Sequence, residues 1–195
     1  MAGLSSTFSL TRTEIVPSRG LRILLACGTL TLLMALGAVA RIPLPFTPVP
    51  FTMQTFFLVY GALALRRRSL FSLAAYLGLG ALGLPVFSGF SSGIAGLTGP
   101  TAGYLFGFLL CGLVIGSLIS SSPSVSLKRD AAILAAGMLA YFIPGVLWLM
   151  AITGMKLHVA LMSGFFPFVP GDLVKIALAY TLYRTTRIRL HELLD

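Results

Sequence analysis

Two opposite charges stand three residues apart in an otherwise apolar stretch, Asp172 and Lys175 within FFPFVPGDLVK at 165–175. An ionised side chain is costly to bury in such surroundings, so its presence points to a partner or a ligand. A helix starting after Pro170 sets both side chains on one face, where carboxylate and ammonium converge on one ligand or on each other. In the first case Asp172 accepts ligand N–H groups while Lys175 donates to a carbonyl or carboxylate oxygen. In the second, the two form an intramembrane ion pair that fixes helix orientation. Proton coupling through Asp172 is the weaker reading, because the neighbouring lysine favours the ionised form.

The elements that must position this pair are membrane helices. Hydrophobic residues make up 57% of the 195 positions and charged residues 10%, with mean hydropathy +0.97, whereas a soluble domain carries about 25% charged residues. The net charge of +9 does not make a nucleic-acid binder, because the cations are scattered between apolar runs rather than clustered on a soluble face. Cys27 and Cys111 both fall inside apolar segments, which gives neither a disulfide framework nor a thiolate metal site. The first twenty residues are polar and include Glu14, and a run of full spanning length follows, so the N-terminus reads as a retained tail rather than a cleaved signal.

Runs near the ~20 apolar residues that a span needs occur at about 23–40, 52–65, 70–87, 101–119, 131–152 and 170–183. The expectation is a single all-α domain over 1–195, a six-helix bundle with tails at 1–20 and 184–195. The second and sixth runs are short, so 41–53 and 158–169 are expected to supply irregular backbone or short helical pieces around a protein-enclosed cavity. Eleven of the fourteen Lys and Arg residues lie before the first run, at 66–68, at 128–129 or after the sixth. The positive-inside rule then puts both termini in the cytoplasm and the connections 41–51, 88–100 and 153–169 outside. Asp172 stands twelve residues before Arg184, about 18 Å along a helix. That places it inside the bilayer toward the external face. The tail at 184–195 reads as an anchor for the last span, with a short basic helix at the cytoplasmic surface as the alternative.

Four prolines in the eight residues 43–50 exclude helix interior. The result is a stiff loop that re-enters the second helix at Thr52 and Gln54, two uncharged donor-acceptor side chains. Gln54 either meets a small polar-edged ligand or satisfies loose backbone groups. GFSSG at 89–93 fits the G-x-S-x-G pattern of a nucleophilic serine, but it lies between apolar helices, and His158 is the only base on offer. An intramembrane hydrolase using Ser91 is therefore a distant alternative. No metal cluster and no phosphate-binding G-x-x-x-x-G-K-[ST] loop is present in the sequence. Any ATP-driven work needs partner subunits. Small-residue stripes at Gly103 and Gly107, at Gly112 and Gly116, and at Cys27, Thr31 and Ala35 mark close helix approach. The last of these faces either a partner helix or a neighbour in the same chain.

PLPFTPVPFTMQ at 43–54, GLPVF at 83–87, GPTAGY at 99–104 and PFVPGDLVK at 167–175 together resemble the signature blocks of the BioY family, the biotin-binding S components of energy-coupling-factor vitamin transporters. The resemblance runs over about 21–183. It implies a non-enzymatic, cofactor-free biotin uptake protein in the cell membrane, surrounded by lipid, that works with a transmembrane coupling subunit and two ATPases. Asp172 and Lys175 fall on the family's G-D-x-x-K block, and Gln54 and Tyr104 fall within other blocks. Biotin's ureido ring offers N–H groups to Asp172 and a carbonyl to Lys175 or Gln54, while its apolar ring suits Phe87, Phe90 and Trp148. The valerate carboxylate is left between Lys175 and water. Only Cys27, Thr31 and Ala35 approximate the small-residue ladder that S components carry on the first helix for docking. A secondary carrier of another small vitamin, working without ATPases, is the remaining alternative.

Overall fold

The computed structural model describes residues 18–119 and 126–194, so most of the expected N-terminal tail lies outside the described residues. The elements are α1 (Arg19–Val39), β1 (Arg41–Ile42), β2 (Phe51–Thr52), α2 (Gln54–Leu65), a 3-10 turn (Arg66–Arg68), α3 (Ser69–Ala81), α4 (Gly93–Thr98), α5 (Ala102–Leu118), α6 (Leu127–Thr153), α7 (Leu157–Gly164) and α8 (Val169–Leu194). Apart from the two-residue ribbon, the regular structure is helical. The protein is an all-helical membrane protein: α1 and α6 are each long and apolar enough to cross a bilayer, and α7 with α8, bent by 46°, form a third candidate span. Leucines such as Leu24, Leu32, Leu147 and Leu178 are exposed on these helices, as expected where lipid rather than water is the solvent.

Two boundaries differ from the sequence reading. The third helix stops at Ala81 instead of continuing to 87, because Gly83 takes φ +99° and its N–H bonds back to Gly80, a left-handed stop that glycine adopts without a Cβ penalty. Pro85 then prevents a restart. The last helix is not short. It runs unbroken to Leu194, and the expected anchoring tail is its final turns, with Leu194 buried and its carbonyl receiving Arg19 Nε at 3.3 Å and Arg68 Nη1 at 3.4 Å. The proline-rich segment is extended as expected, and its ends pair as an antiparallel ribbon, Arg41 opposite Thr52 and Ile42 opposite Phe51.

Packing gathers the cation-bearing segments at one end. Besides the two arginines on Leu194, Arg67 Nε reaches Ser117 Oγ at 3.1 Å, Arg129 Nη2 reaches the Leu118 carbonyl at 3.2 Å, and Gly116 lies against the Arg66 backbone. The ribbon, the α3–α4 loop and the start of α8 lie together at the opposite end, around the cleft described below. Close helix approach follows the predicted glycines. A Cβ on Gly107 would stand 2.7 Å from the Tyr141 backbone, and one on Gly112 would stand 2.6 Å from Leu73. The Cys27 ladder also packs inward, with Thr31 Oγ1 donating at 3.0 Å to the carbonyls of Cys27 and Ser72. Its partner is α3 of the same chain.

Phe87 anchors the α3–α4 loop. Its ring is 1% exposed, edge-on to Tyr76, and occupies the space above Gly80 and Gly96. Phe87→Ala is expected to lower unfolding stability by about 3–5 kcal/mol, the usual cost of an emptied aromatic site. Thermal unfolding of the detergent-solubilised protein reads that loss directly.

Candidate substrate-binding site

Asp172 sits in the first turn of α8 and Lys175 follows one turn later, 3% and 5% exposed. Pro170 and Gly171 open this helix without strain, since neither proline's missing N–H nor its fixed φ matters in a first turn. The helix N-terminus favours the carboxylate. Lys175 Nζ lies 2.8 Å from Asp172 Oδ1, 3.0 Å from Thr55 Oγ1 and 2.6 Å from the Thr52 carbonyl, and 3.5 Å from the centroid of the Phe51 ring. All three ammonium protons are thereby placed. The Thr55 hydroxyl donates to Asp172 Oδ1 at 2.9 Å, and the Tyr141 hydroxyl donates to Oδ2. Three elements, α2, α6 and α8, thus converge on one buried carboxylate.

The pair lines a cleft with about 520 Å³ of unfilled space counted out to its open mouth. Its walls include Thr52, Gln54 and Thr55 at the start of α2, Tyr104 and Phe108 on α5, Tyr141 and Phe142 on α6, and Ser88 on the α3–α4 loop. Gln54 is 3% exposed and donates through Nε2 to Tyr76 Oη at 2.8 Å, and Tyr76 in turn donates to the Val86 carbonyl at 3.1 Å. This relay ties the α3–α4 loop to the head of α2. The Tyr104 hydroxyl donates to the Gly164 carbonyl at 2.8 Å, holding α7 against α5. One wall is aromatic and the other carries opposed charges and amide, which suits a small ligand with a polar edge and an apolar body.

Of the residues singled out from sequence, Asp172, Lys175, Gln54 and Tyr104 line this cleft together. Phe87, Phe90 and Trp148 do not. Phe87 is buried under the loop, Phe90 is 64% exposed at φ +58°, and Trp148 donates from Nε1 to the Gly99 carbonyl at 2.9 Å. The aromatic surface at the cleft comes instead from Phe108, Phe142 and Phe168. Thr55 and Tyr141 escaped the sequence reading although both hold Asp172. The available signal was a hydroxyl directly after Gln54 and another deep within a span. Ser91 turns its hydroxyl to the Ser88 carbonyl at 3.0 Å, so the G-x-S-x-G stretch serves a loop turn, and His158 is exposed on α7.

The chain is similar over most of its length to known proteins. The chain is 39% identical over 165 residues to Biotin transporter BioY of Thermotoga maritima, covering 82% of this chain and 92% of that protein. It is 37% identical over 166 residues to Biotin transporter BioY2 of Lactococcus lactis, covering 80% and 88%. Among solved structures, the crystal structure of the S-component for biotin from an ECF-type ABC transporter matches with a TM-score of 0.78 at 26% identity, over 87% of this chain and 92% of that one. A sequence model of the BioY family matches residues 9–192, and the chain belongs to that family.

Proposed function

We propose that this protein takes up biotin, binding it in the cleft at Asp172 and Lys175 as the S component of an energy-coupling-factor transporter. It is a carrier and not an enzyme, with biotin as cargo and no cofactor. The observation that carries the reading is the buried carboxylate with three donors already on it, Thr55, Lys175 and Tyr141. A carboxylate has about four lone-pair positions. One is left for a ureido N–H, and Lys175 gives up the Thr52 carbonyl to reach the ureido oxygen. The thiophane ring then lies against Phe108 and Phe142.

The proposed topology is six spans, α1, α2, α3, α5, α6 and α8, forming one domain in the cell membrane with both termini inside. The gathering of Arg19, Arg67, Arg68 and Arg129 at the end remote from the cleft supports it. Transport is assigned to a complex with a transmembrane coupling subunit and two ATPases. The Cys27 ladder faces α3, which leaves the leucine face of α1, including Leu24, Leu25, Leu32 and Leu36, to lipid and partner.

Uptake of labelled biotin by proteoliposomes tests the reading. ATP-dependent accumulation only with the coupling module present is the expected result; equal uptake without ATPases makes the protein a secondary carrier. Tyr141→Phe should keep the fold and weaken biotin binding about tenfold, because one hydrogen bond to a charged acceptor is removed. A titration of that variant gives the number.

A further inference from the structure

Both charges inside the cleft are committed to each other, and the one Lys175 donor that the reading above frees, from the Thr52 carbonyl, goes to the ureido oxygen while the other two stay on Asp172 and Thr55. A ligand that also carries a carboxylate needs a second cation. One stands at the mouth. Arg41 pairs through its backbone with Thr52, a cleft-lining residue, and its guanidinium lies beside Gly89, next to Ser88, which lines the cleft from the other side. A Cβ on Gly89 would stand 2.7 Å from Arg41 Nη1 and 3.3 Å from Cζ, and Gly89 has φ +81°. The left-handed φ favours glycine for the turn, and the guanidinium packs beside it. The Arg41 side chain is exposed and makes no ion pair among the described residues.

Ser88 adds a second, independent sign. Its Oγ is buried and has no hydrogen-bond partner among the described residues, whereas Thr52, Gln54, Thr55, Tyr104 and Tyr141 around the same cleft all have one. A buried hydroxyl without a protein partner is uncommon and costly, and it is satisfied when a ligand brings an acceptor. The loop that presents it is fixed. Phe87 N–H bonds to the Ser91 carbonyl at 3.2 Å, the Ser91 hydroxyl bonds to the Ser88 carbonyl at 3.0 Å, and the Phe87 ring is locked between Gly80 and Gly96.

We infer that Arg41 and Ser88 form the receptor for the ligand's carboxylate at the cleft mouth, an inference that rests on the biotin reading above. The ureido head then points inward to Asp172, and the valerate runs outward between the ribbon and the α3–α4 loop. Arg41 supplies the opposite charge and Ser88 Oγ donates the aligning hydrogen bond. Lys175 stays with the head.

The test is a calorimetric titration of the full-length protein, Arg41→Gln and Ser88→Ala with biotin and with its neutral primary amide. Arg41→Gln is expected to weaken biotin about tenfold and the amide less than about twofold, since only the acid carries the charge. Ser88→Ala should weaken biotin several-fold and the amide less, with the unfolding temperature of the free protein unchanged or raised. Equal losses for acid and amide in both variants, or no loss in either, overturn the receptor while leaving biotin as the substrate. Failure of the unaltered protein to bind biotin overturns the reading beneath it as well.

Discussion

Asp172→Ala is expected to lose biotin binding by at least two orders of magnitude. The carboxylate is the convergence point of α2, α6 and α8, accepting from Thr55, Lys175 and Tyr141 in a site where it is 3% exposed. Its removal strands an ammonium at 5% exposure with a carbonyl, a hydroxyl and the Phe51 ring as its remaining partners. Breaking a buried pair in this way costs about 3–5 kcal/mol, and the ligand's N–H loses its acceptor besides. Every 1.4 kcal/mol is about tenfold in affinity. Asp172→Asn keeps the shape but turns one acceptor into a donor facing Lys175 or Tyr141, so a similar loss is expected with less effect on folding. Titration with biotin and thermal unfolding of the same samples separate the two effects. A folded Asp172→Ala protein with unchanged affinity makes the pair a structural ion pair only.

The second large effect is expected at a helix–helix contact behind the site. Gly107→Leu should cost about 3 kcal/mol of stability or more, because the new side chain meets backbone rather than a flexible side-chain end. Tyr141 Cα and its carbonyl oxygen lie 2.7 Å, and Pro144 Cγ 3.0 Å, from the position of the first added atom. The helices must separate, and overpacking of a close contact usually costs 1–3 kcal/mol even where neighbours can yield. Since Tyr141 is the residue pushed, its hydroxyl leaves Asp172 and biotin affinity falls together with stability. Gly20→Leu is the control, as a Cβ there meets nothing within 4 Å. Equal unfolding temperatures for the two variants would contradict the close-packing account.

These two cases also mark how far the sequence could be read. Asp172, Lys175 and Gln54 were legible because a charge or amide in an apolar run demands a partner, and proline at 170 fixes where the helix begins. The glycine stripes on α5 were legible by spacing, and the structure sets them against α6 and α3. Tyr141 and Thr55 were not, since hydroxyls are common in membrane helices and nothing local says which neighbour they meet. Both contacts are non-local, Thr55 and Asp172 being 117 residues apart. The family resemblance sets Phe87 and Trp148 against biotin's apolar ring, yet a ring pressed into the space above Gly80 and an indole N–H bonded to the Gly99 carbonyl are decided by packing alone. The length of the last helix is hidden from the sequence for a related reason. Arg184, Arg187 and Arg189 signal the membrane boundary, but a helix ends where its hydrogen bonding ends, and Leu194 buried beneath two arginines carries it further.

The central claim is that one biotin binds at the Asp172–Lys175 cleft, and calorimetric titration of the purified protein in detergent tests it most directly. Biotin is titrated beside thiamine and riboflavin, with Asp172→Asn run in parallel. Tight one-to-one binding of biotin alone, weakened at least a hundredfold in the variant, is the predicted result. No heat with biotin from a monodisperse, helical sample, or equal affinity in the variant, contradicts the account.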